Sequence, residues 1–281
     1  MTALQIIDAH QHFWRLDAPG HVWPDSTLPA IHRDFLPGDL RDAARDVDLV
    51  ATVLVQSQPT DFDTDWLCTL ATHEPSVGAV VGWVDLAAEA APKRIADLAR
   101  SPKLRGLRPM LQSIADDEWI LQRAVAPAIV AMISHHLTFD ALVQPRHLPV
   151  LRRFAMRWPE LRIVVDHGAK PFIARGELDP WRDDIAALGA LGNVYCKLSG
   201  LRTEQDPEAP AEALLPYVSH LVQIFGDRLM WGSDWPVLRN SGDGYRTWLE
   251  TARSLAGLGS DGEDRLFAQC AAGFYRIDQG K

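Results

Sequence analysis

Residues 4–12 read LQIIDAHQH, a short apolar run that ends in two histidines separated by one residue. The run is almost continuously apolar over residues 4–9, which is typical of a strand buried on both faces of a parallel sheet. Side chains two residues apart in a strand project to the same side, so His10 and His12 are expected to point together from its end. The stretch therefore indicates the first strand of an α/β fold with a pair of imidazoles at its carboxyl end.

Seven further runs of this kind follow at fairly even intervals, at residues 49–56, 77–84, 104–108, 137–143, 161–166, 193–198 and 228–231. Stretches with helical periodicity lie between them, for example at 92–100, 118–133 and 146–158. No G-x-G-x-x-G turn follows the first strand, so the alternation favours a TIM-type (β/α)₈ barrel over a doubly wound sheet. Residues 261–273 are expected to form an extra C-terminal helix. The lack of repeats or a linker indicates a single domain over residues 1–281.

The composition excludes several classes of function. The net charge of −9 is spread along the chain without a basic block, which argues against a nucleic-acid partner. The three cysteines are far apart and are typical of reduced thiols. The sequence has neither the pattern of a signal peptide nor an apolar run long enough to span a membrane. We therefore expect a cytoplasmic protein that acts on a small-molecule substrate, without a membrane partner. A homo-oligomer is compatible with this sequence.

Barrel enzymes carry their chemistry at the carboxyl ends of the strands. The sixth strand ends in VVDHG, which places His167 there, and the eighth ends in WGSDWP, which places Asp234 there. A closed barrel brings the eighth strand beside the first, so both residues are expected to share one mouth with His10 and His12. Three imidazoles and one carboxylate could hold at most one divalent metal ion, with zinc as the first choice. Alternatively, the cluster is metal-free and Asp234 acts as the general base.

Three further residues near strand ends are candidates for substrate binding. Arg108 ends the fourth strand, and its forked guanidinium could bind a carboxylate or hydroxyl groups. Asp140 lies inside the fifth strand, where a buried acid needs a partner. Lys197 lies at the end of the seventh strand and is expected either to pair with Asp140 or Asp234 or to contact the substrate.

The long irregular stretch at residues 13–38 is a candidate lid. It carries Trp14 and Trp23 and several prolines and glycines before the first helix. A loop of this length inside a compact domain is usually functional, so we expect it to lie over the barrel mouth and its tryptophans to contact the substrate.

Five motifs, in the order DAHQHFW, RHLPVL, VVDHGAKP, KLSGL and GSDWP, resemble the lactonase branch of the amidohydrolase superfamily. That branch includes L-fuconolactonase, L-rhamnonolactonase and the pyrone-dicarboxylate and sulfomuconolactone hydrolases. The resemblance covers nearly the whole chain and implies that the protein opens the ring of a small lactone. It also implies that His10, His12 and His167 match the histidines of the family site. Asp234 then matches the acid that activates water.

The sequence departs from the wider superfamily in ways that limit the metal site and the substrate. No histidine ends the fifth strand and no lysine ends the fourth, which argues against a two-metal centre. Pro109 follows Arg108 where many relatives have a histidine, so the motifs do not identify which lactone is the substrate. A metal-dependent decarboxylase of an aromatic or enol acid is the alternative activity. A barrel that only binds a sugar acid or a metal is the non-enzymatic alternative.

Overall fold

The computed structural model describes residues 4–278 and forms one sheet of eight parallel strands in sequence order. The strands are β1 (Ile6–Gln11), β2 (Leu49–Val55), β3 (Val77–Gly82), β4 (Leu104–Leu107), β5 (Thr138–Ala141), β6 (Ile163–Val165), β7 (Val194–Leu198) and β8 (Leu229–Trp231). Just beyond the strands, the backbone N–H of Asp234 donates to His10 and that of His12 donates to Trp235, both at 2.8 Å. These bonds join β8 to β1, and the predicted TIM barrel is confirmed.

Helices alternate with the strands and cover the outside of the barrel. They are α1 (Pro37–Ala43), α2 (Asp61–His73), α3 (Ala91–Leu98), α4 (Ala126–Ser134), α5 (Leu148–Arg157), α6 (Trp181–Gly189), α7 (Leu215–Phe225) and α8 (Tyr245–Ala256). The helix predicted over residues 118–133 was wrong in its first half, where the chain forms two short 3₁₀ turns. Pro127 explains the late start of α4, because a proline cannot continue a helix but fits its first turn. No helix within residues 4–278 is long and apolar enough to cross a membrane.

The expected extra helix is present, and its second half fills the interior of the barrel. It comprises α9 (Ser260–Asp264), a π-helical turn (Arg265–Gln269) and α10 (Cys270–Tyr275). Side chains from residues 268–277 form one buried cluster with the inward-facing residues of the strands, among them Val53, Val81 and Met230. At the start of β3, a Cβ on Gly78 would lie only 2.7 Å from Ile277. Residues 268–277, hereafter the barrel plug, therefore close the amino end of the barrel and leave the carboxyl end open.

Candidate active site

An irregularity in β1 directs His10 into the barrel. Asp8 lies opposite Thr52 on β2, whereas Gln11 lies opposite Leu54, so β1 has one residue more than β2 over this stretch. A bulge of this kind shifts the alternation of side chains and often redirects a residue at an active site. The histidine pair therefore owes its orientation to a local break in the strand rather than to simple alternation.

The side-chain contacts on the two sides of this bulge confirm the shift. Asp8 faces the outer layer, where its carboxylate accepts hydrogen bonds from Ser233 at 2.6 Å and Tyr245 at 3.0 Å. His10 and His12 face the interior, and their Nε2 atoms lie 3.1 Å apart. Asp8 thus supports the backbone of the strand ends, while the imidazoles reach the open end of the barrel.

His167 and Asp234 both have left-handed backbone conformations. Their φ angles are 56° and 55°. Residues other than glycine seldom adopt this conformation, which costs roughly 1–2 kcal/mol, and such strain is concentrated at functional sites. At His167 the sharp turn lets two consecutive side chains face the same centre, because Asp166 and His167 both contact His10.

The four predicted residues converge on one carboxylate oxygen. Oδ1 of Asp234 lies 3.7 Å from Nε2 of His10, 3.6 Å from Nε2 of His12 and 3.9 Å from Nε2 of His167. All four side chains are buried, so their polar atoms face each other and the cavity rather than bulk solvent. The structure therefore brings the strand-end residues together as the sequence predicted.

Hydrogen bonds behind the cluster orient two of the imidazoles. Nδ1 of His12 lies 2.8 Å from the carbonyl oxygen of Val55, which can only accept, so Nδ1 carries the proton and Nε2 has a free lone pair. Nδ1 of His167 lies 2.8 Å from the hydroxyl of Ser199. Both rings consequently present Nε2 to Asp234.

Burial keeps the imidazoles neutral at neutral pH. It is the largest influence on each of them, and it lowers the pKa of His167 from 6.5 to about 4 and the pKa of His10 well below 6.5. The pKa of His12 is lowered for the same reason. Burial alone would raise the pKa of Asp234, but the neighbouring imidazoles outweigh it and hold that pKa well below its usual range. The site thus contains an ionised carboxylate among neutral imidazoles.

This donor set suits a single zinc ion. Zinc bonds of about 2 Å in a tetrahedron place neighbouring ligand atoms roughly 3.3 Å apart, close to the separations seen here. The set of His10, His12 and Asp234 has its ligand atoms within 4.8 Å of one another, and so does the set of His10, Asp166 and His167. Both sets contain His10, which is consistent with one ion rather than two.

A buried ion network lies directly beneath His10. The ammonium group of Lys197 is 2.7 Å from Oδ2 of Asp140 and 3.0 Å from Oδ1 of Asp166. Burial alone would raise the pKa of Asp166, but Lys197 holds it well below its usual range. Nη1 of Arg108 approaches the other oxygen of Asp166 at 3.4 Å. Two cations therefore balance two acids below the cavity.

A cavity of about 340 Å³ opens above the cluster. His12, His167 and Asp234 form part of its lining, and Arg108 and Trp23 line it as expected. The other lining residues are polar (Ser57, Gln112, Ser113, Lys170) or apolar (Val22, Pro59, Met110, Leu142, Val237). The mixture suits a small ligand that carries both hydroxyl groups and an apolar group.

Three residues expected to bind substrate do not line this cavity. Lys197 and Asp140 have no exposed surface, so they cannot touch a ligand there, and this corrects that expectation. Trp14 is also buried, because its indole N–H donates to the carbonyl of Arg33 at 2.8 Å and its ring packs edge-on against Trp23. Trp14 therefore supports the lid from behind.

The predicted lid is held over the cavity by a residue that the sequence analysis missed. The side chain of Gln58 accepts a hydrogen bond from the N–H of Val22 at 3.0 Å and donates one to the carbonyl of Trp23 at 2.5 Å. Asp63, in the first turn of α2, accepts from the backbone N–H groups of Ser57 and Gln58. The two lid residues that line the cavity are thus fixed to the loop that follows β2.

Asp166 is the other residue near the site that the sequence analysis missed. It stands beside His167 in the motif VVDHG, but regular alternation would place neighbouring side chains on opposite faces. The feature of the sequence that could have identified Asp166 is an acidic residue directly at the end of a strand. The left-handed turn that makes it useful leaves no clear mark in the sequence.

The chain is similar to known proteins over most of its length. A family model described as amidohydrolase matches residues 7–277. A Burkholderia ambifaria protein named L-fucono-1,5-lactonase is 50% identical over 278 residues, which cover 97% of this chain and 96% of that protein. A protein of the same name from Burkholderia multivorans is 36% identical and is matched over 84% of this chain and 83% of its own length.

A solved structure is similar over almost the entire length. The crystal structure of an amidohydrolase from Burkholderia multivorans with bound zinc superposes with a TM-score of 0.90 at 33% identity, covering 98% of this chain and all of that chain. The chain belongs to the amidohydrolase family.

Proposed function

We propose that the protein hydrolyses an uncharged 1,5-lactone of a sugar acid, with Asp234 as the residue that activates water. The observation that carries this proposal is the ionised carboxylate of Asp234 at the base of the cavity, within 3.9 Å of three imidazoles. Support for the substrate comes from the two relatives named L-fucono-1,5-lactonase. L-fucono-1,5-lactone carries several hydroxyl groups and one methyl group, and the polar and apolar walls of the cavity are suited to both.

The chemistry requires one water molecule and one proton acceptor. Asp234 accepts a proton from water while the water oxygen forms a bond to the lactone carbonyl carbon, and the carbonyl oxygen takes up negative charge. Arg108 is permanently charged and faces the cavity, so it is placed to stabilise that oxygen. The bond between the carbonyl carbon and the ring oxygen then breaks, and Asp234 returns the proton to the ring oxygen. The product is the open-chain hydroxy acid.

We further propose that His10, His12, His167 and Asp234 hold one zinc ion. When bound, the metal would polarise the carbonyl and lower the pKa of water. This contribution matters because Asp234, with its lowered pKa, is a weak proton acceptor on its own. The neutral imidazoles are in the form that a metal requires, since protonated imidazoles cannot be ligands.

A panel of substrates tests the proposal. Purified protein is given sugar 1,5-lactones, sugar 1,4-lactones, carboxylated lactones and carboxylated aromatic acids, and proton release and CO₂ release are recorded in parallel. We expect proton release from sugar 1,5-lactones without CO₂. Release of CO₂ from an aromatic acid, with no lactone turnover, would reject hydrolysis in favour of decarboxylation.

Substitution of the proposed base gives the second test. Asp234→Asn keeps the shape but removes the proton acceptor, and we expect kcat/KM to fall by about 10²- to 10⁴-fold. Asp264→Asn, at an exposed position on α9, is the matched control and should leave turnover unchanged. Undiminished turnover by Asp234→Asn would remove this residue from the mechanism.

A further inference from the structure

The barrel plug reaches the active site from below through one hydroxyl group. Tyr275 lies at the end of α10, has no exposed surface and donates a hydrogen bond to Oδ2 of Asp140 at 2.5 Å. Asp140 is an inward-facing residue of β5, and its other oxygen accepts from Thr138 at 3.1 Å. Both oxygens of this carboxylate are therefore fixed by hydroxyl groups.

Asp140 in turn fixes the ammonium group of Lys197. Nζ lies 2.7 Å from Oδ2 of Asp140, 3.0 Å from Oδ1 of Asp166 and 3.2 Å from Nδ1 of His10. An ammonium group has three N–H donors and no acceptor. One of them donates to Asp140, the contact with Asp166 is an ion pair, and the contact with His10 is a hydrogen bond only when Nδ1 of that ring carries no proton. A continuous path of buried polar contacts thus links Tyr275 to the imidazole of His10.

The position of Lys197 decides which hydrogen bond His10 makes. Nδ1 of His10 lies 3.2 Å from the Lys197 ammonium and 3.5 Å from Oδ1 of Asp166. The ammonium can only donate to this nitrogen and the carboxylate can only accept from it, so a small movement of Lys197 exchanges one partner for the other. If Asp140 lost the hydrogen bond from Tyr275, it would attract Lys197 more strongly, and the balance between the two partners of Nδ1 would change.

We propose that Tyr275 is a positioning residue for His10 and acts through Asp140 and Lys197. It does not touch the cavity, so its role is to hold the ring of His10 in the orientation that the reaction needs. The effect on turnover rests on the proposed lactone hydrolysis, whereas the effect on the His10 ring does not.

The main experiment removes only the hydroxyl group. Tyr275→Phe keeps the aromatic ring that packs against Phe274, so the plug stays filled. We expect kcat on the lactone that the wild type hydrolyses best to fall about tenfold or more, with KM within about twofold, because a misplaced catalytic group slows chemistry more than binding. The ring-nitrogen NMR signals of His10, recorded with ¹⁵N-labelled histidine, should also shift.

A neighbouring residue supplies the matched control. Ile277, two residues after Tyr275, belongs to the same buried cluster and packs against Gly78 at the start of β3, at the opposite end of the barrel from the cavity. Ile277→Ala should lower the melting temperature at least as much as Tyr275→Phe but leave kcat and the His10 signals unchanged. This comparison separates positioning from a general loss of packing.

The kinetic and NMR results together decide whether Tyr275 positions His10. A kcat for Tyr275→Phe within about twofold of the wild type, with unchanged His10 signals, would overturn the proposal. If Tyr275→Phe does not fold, Thr138→Val replaces it, because this variant removes the hydroxyl from the other oxygen of Asp140 and carries the same expectation. If the wild type hydrolyses no lactone, the proposed function fails, and the His10 signals alone decide whether Tyr275 positions this ring.

Discussion

Nζ of Lys170 lies 3.2 Å from Oε1 of Glu204 at the rim of the cavity, so the positive charge of this lysine is balanced before any ligand binds. Arg108, which also lines the cavity, already faces Asp166 at 3.4 Å. Both cations of the lining therefore have acidic partners. A lactone that carries its own carboxylate would have to compete with these partners, which favours an uncharged substrate.

The variant Glu204→Gln should shift the selectivity toward charged lactones. It frees the ammonium of Lys170, and a partly exposed ion pair of this type is worth about 1 kcal/mol or less, which corresponds to roughly a fivefold change. We expect kcat/KM for a carboxylated lactone to rise by up to this factor relative to a neutral one. Glu208→Gln, exposed on the same connection, should not change the ratio. An unchanged ratio in Glu204→Gln would show that this ion pair does not select the substrate.

Gln58→Ala should loosen the lid. The substitution removes the hydrogen bonds to Val22 and Trp23, each worth about 1 kcal/mol. Because these residues line the cavity but lie away from the reacting atoms, we expect KM to rise about tenfold and kcat to change by less than about threefold. Steady-state kinetics measure both, with Gln223→Ala on the surface of α7 as the control. An equal KM in Gln58→Ala and the wild type would mean that the lid does not need this anchor.

Metal binding should be limited to one zinc ion and should depend on His12. Protein treated with a chelator and titrated with Zn²⁺ is expected to bind at most one equivalent by calorimetry and elemental analysis. His12→Asn should weaken the affinity by at least about tenfold, because the ligand nitrogen is lost. The exposed His73 provides the control variant His73→Asn. Two tightly bound equivalents, or an affinity unaffected by His12→Asn, would contradict the proposed centre.

On the acid side, activity should fall only at a pH well below 6.5, the ordinary pKa of histidine. Burial lowers the pKa of His167 from 6.5 to about 4, so the ring stays neutral between these values and gains a proton only as the pH falls through about 4. We expect kcat/KM to be level from pH 7 to 5 and to fall below that, measured with an indicator-free assay. Lys170→Met should move this decrease in activity to higher pH, because the charge of Lys170 helps to keep His167 neutral. A wild-type decrease centred near pH 6.5 would contradict a neutral, buried His167.

The lowered pKa of His167 also predicts how the free energy of unfolding depends on pH. The unfolded chain binds a proton on His167 below pH 6.5, whereas the folded chain resists it down to about pH 4. Because of His167, the free energy of unfolding therefore decreases as the pH falls from 6.5 to about 4, by up to about 1.4 kcal/mol per pH unit. Urea unfolding at pH 7 and pH 5 measures the difference for the wild type and for His167→Gln, and the difference should be smaller in the variant.

The barrel and its cluster were predictable because they follow from regular patterns. Buried parallel strands are apolar and evenly spaced, and barrel closure brings strand ends together, so His10, His167 and Asp234 could be placed at one mouth from sequence alone. The contacts of Lys197 were predicted only in part. Its pairing with Asp140 was foreseen, but its depth below the cavity was not, because periodicity gives the face of a strand and not the level along the barrel axis.

The remaining features depend on local departures from regularity. The bulge between Asp8 and Gln11 and the left-handed turn at His167 redirect side chains, and no residue type at these positions requires either one. The extra C-terminal helix was predicted over residues 261–273, yet nothing in the sequence indicated that Tyr275 would enter the interior of the barrel. Such long-range contacts are decided by tertiary packing.

The barrel plug also sets an order of events during synthesis. Residues 268–277 follow all eight strands in the chain, so a ribosome completes every strand before it makes the residues that fill their interior. Until then the inward faces of β1, β2 and β3 are not covered, and the nascent chain exposes an aggregation-prone apolar surface. The catalytic centre is thus completed from both ends of the barrel, and its lower half is assembled last.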